Sequence, residues 1–451
     1  MRPTIADPVR PTGSPLTCIQ GEPARPLTRA EAEERIAGSC LRPGPAGRVG
    51  LELELLVTGR AGWARRLQPR ELSLLADEVS AVVGHGRITQ EPGGQLELSL
   101  DPQPGLGAML RAAGQDVSRA QEVAHAQGAV LVGLGVDPLR LPLRIGSAPR
   151  YEAMEAHFDV QSPMGRVMMA STASLQVNVE AAALSGPGAG MGPGIGHRWW
   201  LLHLIGPALT AAFANSPMRE GRATGGKSTR GQVWAHLDPT RDQALGAAAS
   251  AAVEVDPGLS YARRALGAPV MMIRRPSGDW KAPAGLCFEA WIEAGGRFGL
   301  PRPTVGDLDY HLTTLFPPVR PRGFLEVRYL DALPGRWWRA ATGVLWALVE
   351  DETAGDLAAE AAEEVAGRWN DAARIGVGAP RLQSAALACL VAARDGLARL
   401  GQRVVAEELD TFIATYTVRA RCPADDLIEL LARDPAALAR PESPTLWEVH
   451  P

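Results

Sequence analysis

Apolar and polar residues alternate along several short stretches of the chain. The clearest stretch lies at 49–55, where Val49, Leu51, Leu53 and Leu55 alternate with Gly50, Glu52 and Glu54. A period of two predicts a β-strand with one apolar face and one acidic face. Comparable signals predict strands within 87–100, on either side of Pro92-Gly93-Gly94, and at 129–136, 175–179, 270–273 and 324–329.

Other stretches have the spacing of amphipathic helices. Thr28 and Glu31 form a capping box that opens a short helix, and helical spacing predicts further helices at 70–83, 107–126 and 197–214. After about Pro334 the chain is almost wholly helical, with alanine-rich segments at 354–369, 382–400, 404–416 and 425–433. We therefore predict an α+β fold with a helical C-terminal third.

The chain shows one change of composition, near its start. Residues 1–26 are rich in Pro, Arg and Gly and have no periodicity, so we predict a flexible N-terminal arm. The rest contains no internal repeat and no break that would separate independent domains. We expect 27–451 to form a single catalytic domain, of which 344–451 is mainly helical.

Composition limits the possible functions. The chain has 451 residues, 46% hydrophobic and 21% charged, and its 46 basic and 50 acidic residues are dispersed, which argues against a nucleic-acid binder. The longest apolar run, 199–214, is interrupted by His203 and Pro207 and is too short for a membrane span, so no membrane partner is expected. Five widely spaced cysteines and the absence of a signal peptide favour a cytoplasmic protein.

Three acidic strand segments carry the candidate chemistry. Glu52 and Glu54 share a strand face, Glu91 and Glu97 bracket a Gly-Gly turn, and Glu326 is two residues from Arg328. Carboxylates on rigid strands suit Mg²⁺, and an arginine beside the metal could hold a phosphoryl group. The alternative interpretation is the solvated face of an amphipathic sheet, because surface carboxylates are common. Spacing alone leaves both interpretations open.

A second motif matches the phosphate-binding loop G-x-x-x-x-G-K-[ST]. It runs from Gly221 to Ser228 and includes Lys227. Such a loop works only between a buried strand and a helix whose N-terminal amides face the phosphates. Here a predicted helix precedes the motif, and Gly231 and Pro239 follow it, which favours a surface or active-site loop.

A series of short motifs resembles the plant-type glutamate–cysteine ligase family. In order, they are Glu-Pro-Gly-Gly-Gln-Leu-Glu at 91–97, Pro-Arg-Tyr at 149–151, Met-Met at 168–169, Thr172 with Gln-Val-Asn at 176–178, Phe-Ala-Asn-Ser-Pro at 213–217, 238–241, His-Leu-Thr-Thr-Leu-Phe-Pro at 311–317 and Leu-Glu-Val-Arg at 325–328. The resemblance covers about 49–350. The compact chain is similar to the bacterial branch that supplies γ-glutamylcysteine for ergothioneine synthesis. The segments 185–196 and 225–227 depart from the family pattern.

The resemblance implies a fold and a reaction. The fold is glutamine-synthetase-like: a curved, mostly antiparallel sheet forms an active-site funnel, with helices outside. In the reaction, ATP phosphorylates the γ-carboxylate of L-glutamate, and the α-amine of L-cysteine attacks the acyl phosphate. Two or three Mg²⁺ ions would screen the repulsion between the carboxylate and the triphosphate.

The resemblance also suggests roles for individual residues. The expected metal ligands are Glu52, Glu54, Glu91, Glu97 and Glu326, and the expected catalytic residues are Arg328, which would steady the γ-phosphate, and Glu326. For the α-carboxylate of glutamate we favour Arg241 over Arg150 and Arg230. The remaining substrate-binding candidates are Tyr151, Thr172, Gln176 and Asn178.

Three alternatives remain open at this stage. The first is a related carboxylate–amine ligase with another amine acceptor. The second is a P-loop nucleotide hydrolase that depends on Lys227. The third is a metal-binding module without catalytic activity.

Overall fold

The computed structural model describes residues 26–160, 162–183, 194–242 and 256–451. Residues 1–25 of the predicted arm over 1–26 and most of the loop over 185–196 lie outside these ranges. The largest element is a seven-stranded sheet. Its strands are β1 (Val49–Gly59), β2 (Gly86–Gln90), β3 (Leu96–Gln103), β4 (Ala129–Val132), β5 (Ser174–Val179), β6 (Val319–Pro321) and β7 (Leu325–Asp331).

The sheet is antiparallel throughout. Its order is β6-β7-β5-β1-β3-β2, and β4 pairs with the C-terminal half of β1. Two short ribbons lie apart from it: Pro43–Gly44 pairs in parallel with Ala182–Ala183, and Met218–Arg219 pairs with Arg222–Ala223. The long strand β1 is central and therefore contacts three other strands.

Helices make up most of the remaining structure. They are α1 (Arg29–Cys40), α2 (Pro69–Val82), α3 (Leu106–Ala126), α4 (Pro149–Asp159), α5 (Met164–Ser171), α6 (Ile195–Leu204), α7 (Gly206–Ala212), α8 (Thr229–Ala235), α9 (Pro239–Asp242), α10 (Pro257–Gly267), α11 (Phe288–Ala294), α12 (Val305–Leu312), α13 (Trp337–Glu350), α14 (Glu352–Ala362), α15 (Trp369–Ile375), α16 (Pro380–Arg399), α17 (Arg403–Thr415) and α18 (Ala424–Arg433). Short 3₁₀ helices cover Gly295–Phe298, Glu363–Val365, Gly376–Gly378, Thr417–Arg419, Ala437–Ala439 and Ser443–Trp447.

The alternation of residues along β1 divides the sheet into two faces. Leu51, Leu53 and Leu55 are buried in the main core, together with the apolar residues of β3 and β5. Helices α3 and α13 contact these strands and contribute to the same core. The polar residues between them therefore point to the opposite face. This arrangement confirms the predicted α+β class, the mostly antiparallel sheet and the helical C-terminal third.

Three predicted elements differ from the structure. The helix predicted over 354–369 ends at Ala362, because a short 3₁₀ helix and Gly367, which has a positive φ, separate it from α15. The strand predicted at 270–273 is wrong, because the segment forms only isolated bridges to 280–287, where Pro283 lacks the N–H that a regular ladder needs. The helix predicted over 197–214 is divided into α6 and α7 at Ile205, and Pro207 stands within the first turn of α7. The differences at 270–273 and 197–214 both arise at proline residues.

Within the described ranges no single helix is long and apolar enough to cross a membrane. One pair bent by 86°, Trp369–Gly378 with Pro380–Arg399, meets the criteria of length and composition. Its apolar residues, including Leu382 and Leu390, are buried in the main core of the protein.

Candidate active site

Polar side chains from six neighbouring strands lie on one face of the sheet. Residues directly paired in antiparallel strands point to the same side. The pairs that form this face are Thr89 with Glu97, Glu97 with Glu54, Glu52 with Gln176, Asn178 with Glu326, and Glu326 with Arg320. We call this set, together with Arg328, the polar face. The structure thus brings four of the five predicted metal ligands onto one surface.

A chain of hydrogen bonds crosses the polar face from β7 to β1. Arg328 Nη1 donates to Gln176 Oε1 at 2.5 Å, and Gln176 Nε2 donates to Glu54 Oε1 at 2.7 Å. The backbone N–H of Ser174 donates to the other oxygen of Glu54, Oε2, at 2.7 Å. A guanidinium can only donate and a carboxylate can only accept, so the amide of Gln176 has a single permitted orientation. Arg328 and Glu54 are therefore held in fixed positions relative to each other.

Glu326 lies at the centre of three arginines. Its oxygens accept from Arg320 Nε at 2.5 Å, Arg322 Nη1 at 2.8 Å and Arg328 Nη1 at 3.0 Å. Burial alone would raise the pKa of this carboxyl, but the three guanidinium groups hold the pKa well below its usual range. Glu326 therefore carries a negative charge that orients Arg328, and its expected role as a metal ligand stays a prediction.

The turn that carries Glu91 is fixed by its neighbours. Gln95 is buried; its side chain accepts from Gly93 N at 3.0 Å and donates to Thr172 O at 2.8 Å. A Cβ on Gly93 would lie 2.2 Å from the carbonyl oxygen of Ala170, so only glycine permits this close approach. The Gly-Gly turn thus packs against the end of α5 and places Glu91 beside the polar face.

Three glutamates of this region have raised pKa values. Burial and the charges of Glu97 and Glu326 raise the pKa of Glu52 to about 7. Burial, followed by the carboxylates of Glu97 and Glu54, raises the pKa of Glu91 well above its usual value. Burial and Glu54 also raise the pKa of Glu97, against hydrogen bonds from Ser99 and Thr89. Such mutual repulsion favours a cation between the carboxylates.

The raised pKa of Glu52 leads to a prediction about pH and Mg²⁺. Its folded pKa of about 7 exceeds the usual 4.5, so the folded state binds the extra proton and its stability falls as pH rises between these values. Mg²⁺ requires the deprotonated carboxylates. We expect added Mg²⁺ to raise the midpoint of thermal unfolding more at about pH 7.5 than at about pH 5.5. An equal Mg²⁺ effect at both pH values would contradict this prediction, and Glu52→Gln should reduce the difference.

Two predicted substrate-binding arginines lie close to this region. Arg230 is 3% exposed, and its Nη2 donates to the carbonyl oxygen of Arg328 at 2.7 Å. Arg150 lies over the ring of Tyr310 at 5.2 Å and donates to Thr313, and its charge offsets part of the rise in the pKa of Glu91. Both guanidinium groups therefore stand within electrostatic range of the acidic residues.

Three other candidates are engaged in the surrounding structure. Arg241 is 2% exposed, and its guanidinium bonds Asp238, the carbonyl and hydroxyl oxygens of Thr314, and the carbonyl oxygen of Pro269. The hydroxyl of Thr172 donates to Met168 O at 2.6 Å. Tyr151 lies in an apolar cluster of α4, α5 and α8. The preference for Arg241 over Arg230 is therefore not supported by the geometry.

The family of this chain follows from its similarity to known proteins. Residues 48–439 match the model of glutamate-cysteine ligase family 2 (GCS2). The chain belongs to glutamate–cysteine ligase family 2. This confirms the family predicted from the motifs.

The similarity of this ligase to several other ligases extends over most of its length. The ligase is 40% identical over 402 residues to the glutamate–cysteine ligase EgtA of Mycobacterium tuberculosis, covering 88% of each chain. It is 41% identical over 426 residues to EgtA of Mycolicibacterium smegmatis, covering 92% of this chain and 95% of the relative. The chloroplastic glutamate–cysteine ligase of Brassica juncea is 28% identical over 367 residues, which cover 77% of this chain and 67% of the relative.

Two arginines of the ligase that bind Glu326 were not predicted from the sequence. Arg320 and Arg322 lie two residues apart on or beside β6, and both bind Glu326. Their spacing is that of one strand face, and the short connection to β7 indicates a hairpin. Arginines that alternate with other residues, as Glu52 and Glu54 alternate with leucines, are the signal that could have identified them.

The phosphate-loop motif of the ligase has another role. The backbone N–H groups of Lys227 and Ser228 both donate to Ala373 O, at 3.0 and 2.8 Å, so these amides do not face a nucleotide. Lys227 Nζ bonds Asp425 Oδ1 at 2.5 Å. Only a two-residue ribbon precedes the glycines, and α8 has seven residues. The geometry therefore does not support a P-loop hydrolase.

Replacing Lys227 by methionine distinguishes the two interpretations of this loop. In a ligase the substitution breaks one partly exposed ion pair, so turnover of ATP should change by no more than about twofold. In a P-loop hydrolase the same substitution should abolish ATP turnover. Release of ADP in the presence of glutamate and cysteine is the appropriate measurement.

Proposed function

We propose that this protein joins the γ-carboxylate of L-glutamate to the α-amine of L-cysteine, with ATP converted to ADP and phosphate. The observation that carries the proposal is the polar face, where carboxylates from separate strands meet beside Arg328 in a member of this ligase family. A surface of this kind suits the transfer of a phosphoryl group between two anions.

The residues of the polar face fit bound Mg²⁺. Glu52, Glu54, Glu91 and Glu97 would hold the ions. The raised pKa values of three of them show that burial and mutual repulsion outweigh the charges of the nearby arginines. Among the described residues no three acidic, histidine or cysteine side chains already surround one point. This is compatible with Mg²⁺, which usually takes only one or two carboxylates and completes its shell with phosphates and water. Bound Mg²⁺ would screen the negative charge of the triphosphate.

The chain's own groups would then position the reactants. Arg328, oriented by Glu326 and Gln176, would stabilise the γ-phosphoryl group as it moves to glutamate. Asn178 Oδ1 is buried without a hydrogen-bond partner in the described structure, so it can accept from a substrate amine. The γ-carboxylate attacks the γ-phosphorus, ADP leaves, and the cysteine amine displaces phosphate from the acyl phosphate.

We infer that Arg230 binds the α-carboxylate of glutamate. Its guanidinium is buried, its Nε has no hydrogen-bond partner in the described structure, and burial lowers its pKa despite the nearby negative charges of Asp331 and Glu54. A buried guanidinium with donors to spare is costly unless an anion binds it. Arg241 lacks this feature, because its hydrogen bonds are made within the chain.

The role of Arg230 can be tested with 4-aminobutanoate, which keeps the reacting carboxylate of glutamate and lacks only the α-carboxylate. Arg230→Ala should lower kcat/KM for glutamate by about a hundredfold, because a charged bidentate contact is lost, and should change kcat/KM for 4-aminobutanoate little. An unchanged preference for glutamate would reject the assignment.

Product analysis tests the reaction itself. Protein incubated with ATP, Mg²⁺, glutamate and cysteine should release ADP only when all are present, and the product should have the mass of γ-glutamylcysteine. A strong preference for an amine other than cysteine would reject this acceptor and favour a related carboxylate–amine ligase. Nucleotide-independent Mg²⁺ binding without turnover would indicate a non-catalytic module.

We further propose that the product serves ergothioneine synthesis and that the protein acts in the cytoplasm. The similarity to the two EgtA ligases supports the first proposal. The described cysteines, Cys40, Cys287, Cys389 and Cys422, are all free thiols, which supports a reducing compartment.

A further inference from the structure

We propose that Asp331 is a positioning residue that holds Arg230 in place to receive the α-carboxylate of glutamate. The proposal rests on the assignment of Arg230 under the proposed function. Asp331 is the last residue of β7, the strand that also carries Glu326 and Arg328. It is 2% exposed, and its pairing with Ser174 places it on the same side of the sheet as Gln176. Its carboxylate bonds the segment that leads to α8.

Three hydrogen bonds satisfy the buried carboxylate of Asp331. Oδ2 accepts from Asn215 N at 2.8 Å and from Ser216 Oγ at 2.7 Å, and Oδ1 accepts from Ser228 Oγ at 2.9 Å. Each serine has one hydroxyl proton, and each donates it to Asp331. The two hydroxyl oxygens are then available only as acceptors.

Both serine oxygens accept from the first turn of α8. Ser216 Oγ accepts from the backbone N–H of Arg230 at 3.2 Å, and Ser228 Oγ accepts from Gly231 N at 2.9 Å as the N-cap of the helix. The carboxylate of Asp331 therefore fixes the direction of every bond in this network. The phosphate-loop motif ends at Ser228, and this residue anchors the N-terminus of the helix that carries Arg230.

The charge of Asp331 also acts on Arg230. Burial lowers the pKa of the Arg230 guanidinium, and Asp331 is the first of the negative charges that oppose this effect. Space around the carboxylate is restricted, because a Cβ on Gly135 would lie 2.5 Å from Asp331 Cγ. A longer glutamate would not fit there, whereas asparagine has nearly the same shape.

Asp331→Asn gives the sharpest test. The asparagine oxygen can still accept from Asn215 N, and its amide can donate to the Ser228 hydroxyl, so the loop can fold while the charge is removed and the bond directions change. We expect KM for glutamate to rise by about tenfold or more, the loss typical of a misaligned charged hydrogen bond, with KM for ATP and cysteine within about twofold. The preference for glutamate over 4-aminobutanoate should fall by the same factor.

Two further variants complete the test. Ser228→Ala removes two hydrogen bonds of the network, the one to Asp331 and the one from Gly231 N, but keeps the charge of Asp331. It should reduce the preference for glutamate in the same direction but by less, and it also serves if Asp331→Asn fails to fold. Lys227→Met is the matched control, because it changes the adjacent residue of the same loop without altering the bonds to Asp331, and its substrate preference should equal that of the wild type.

Several results would overturn the proposal. If Asp331→Asn and Ser228→Ala keep the wild-type preference for glutamate while Arg230→Ala loses it, Arg230 binds the carboxylate without help from Asp331. If all three KM values and kcat change together with a fall in the unfolding temperature, Asp331 has only a structural role. If Arg230→Ala itself keeps the preference, the assignment of Arg230 under the proposed function fails as well.

Discussion

Replacing Glu54 by glutamine should lower turnover by about a hundredfold or more while the chain remains folded. Glu54 accepts from Ser174 N and from Gln176, and Gln176 in turn accepts from Arg328. A glutamine at position 54 would remove a carboxylate from the proposed Mg²⁺ site. Its NH₂ group would also face an N–H donor, either that of Ser174 or that of Gln176. Gln176 cannot turn to relieve this conflict, because Arg328 has only donors.

Steady-state kinetics at several Mg²⁺ concentrations would measure this effect. Glu408→Gln is a suitable control, since Glu408 is also a half-buried partner of an arginine, Arg339, but lies on α17. Its turnover should stay within about twofold of the wild type. If Glu54→Gln turned over ATP as fast as this control, Glu54 would not belong to the catalytic machinery.

The second large effect concerns the stability of the polar face. Glu326→Gln would leave three guanidinium groups, those of Arg320, Arg322 and Arg328, around a neutral side chain. Removing one partner of a buried ionic cluster typically costs about 3–5 kcal/mol, so the free energy of unfolding should fall by this order. Activity should also be lost, because Arg328 loses the charge that orients it.

Denaturant unfolding would measure the change, and a double variant would identify its cause. Arg322→Met alone should cost less than Glu326→Gln, because Glu326 keeps two guanidinium partners. If repulsion among the arginines is the cause, adding Arg322→Met to Glu326→Gln should recover part of the lost stability. Glu326→Gln with the stability of the wild type would contradict the account of the arginine cluster.

The sequence predicts the polar face better than the residues around it. Glu52 and Glu54 alternate with leucines on a strand, and this local pattern determines which face each side chain occupies. The pairing of that strand with β3 and β5 then brings Glu97 and Gln176 onto the same face. Local periodicity therefore predicts which side chains of one strand share a face, whereas the pairing that joins the strands into one acidic surface is seen in the structure.

The roles of the arginines depend on contacts that are distant in sequence. Arg241 is held by Thr314 and Pro269, and Arg230 is held by the carbonyl oxygen of Arg328. Whether a guanidinium retains unused donors is decided by these tertiary partners, which no local pattern reveals. For the same reason the sequence could show the motif around Lys227 but not its bond to Asp425.

In the proposed reaction, the γ-carboxylate of glutamate is phosphorylated by ATP at the polar face before the amine attacks. The most direct measurement uses glutamate labelled with ¹⁸O in its γ-carboxylate, with ATP, Mg²⁺ and cysteine, followed by mass spectrometry of the released phosphate. One labelled oxygen should appear in each phosphate, because that oxygen bridges carbon and phosphorus in the acyl phosphate. Unlabelled phosphate released together with the dipeptide would rule out phosphorylation of the carboxylate.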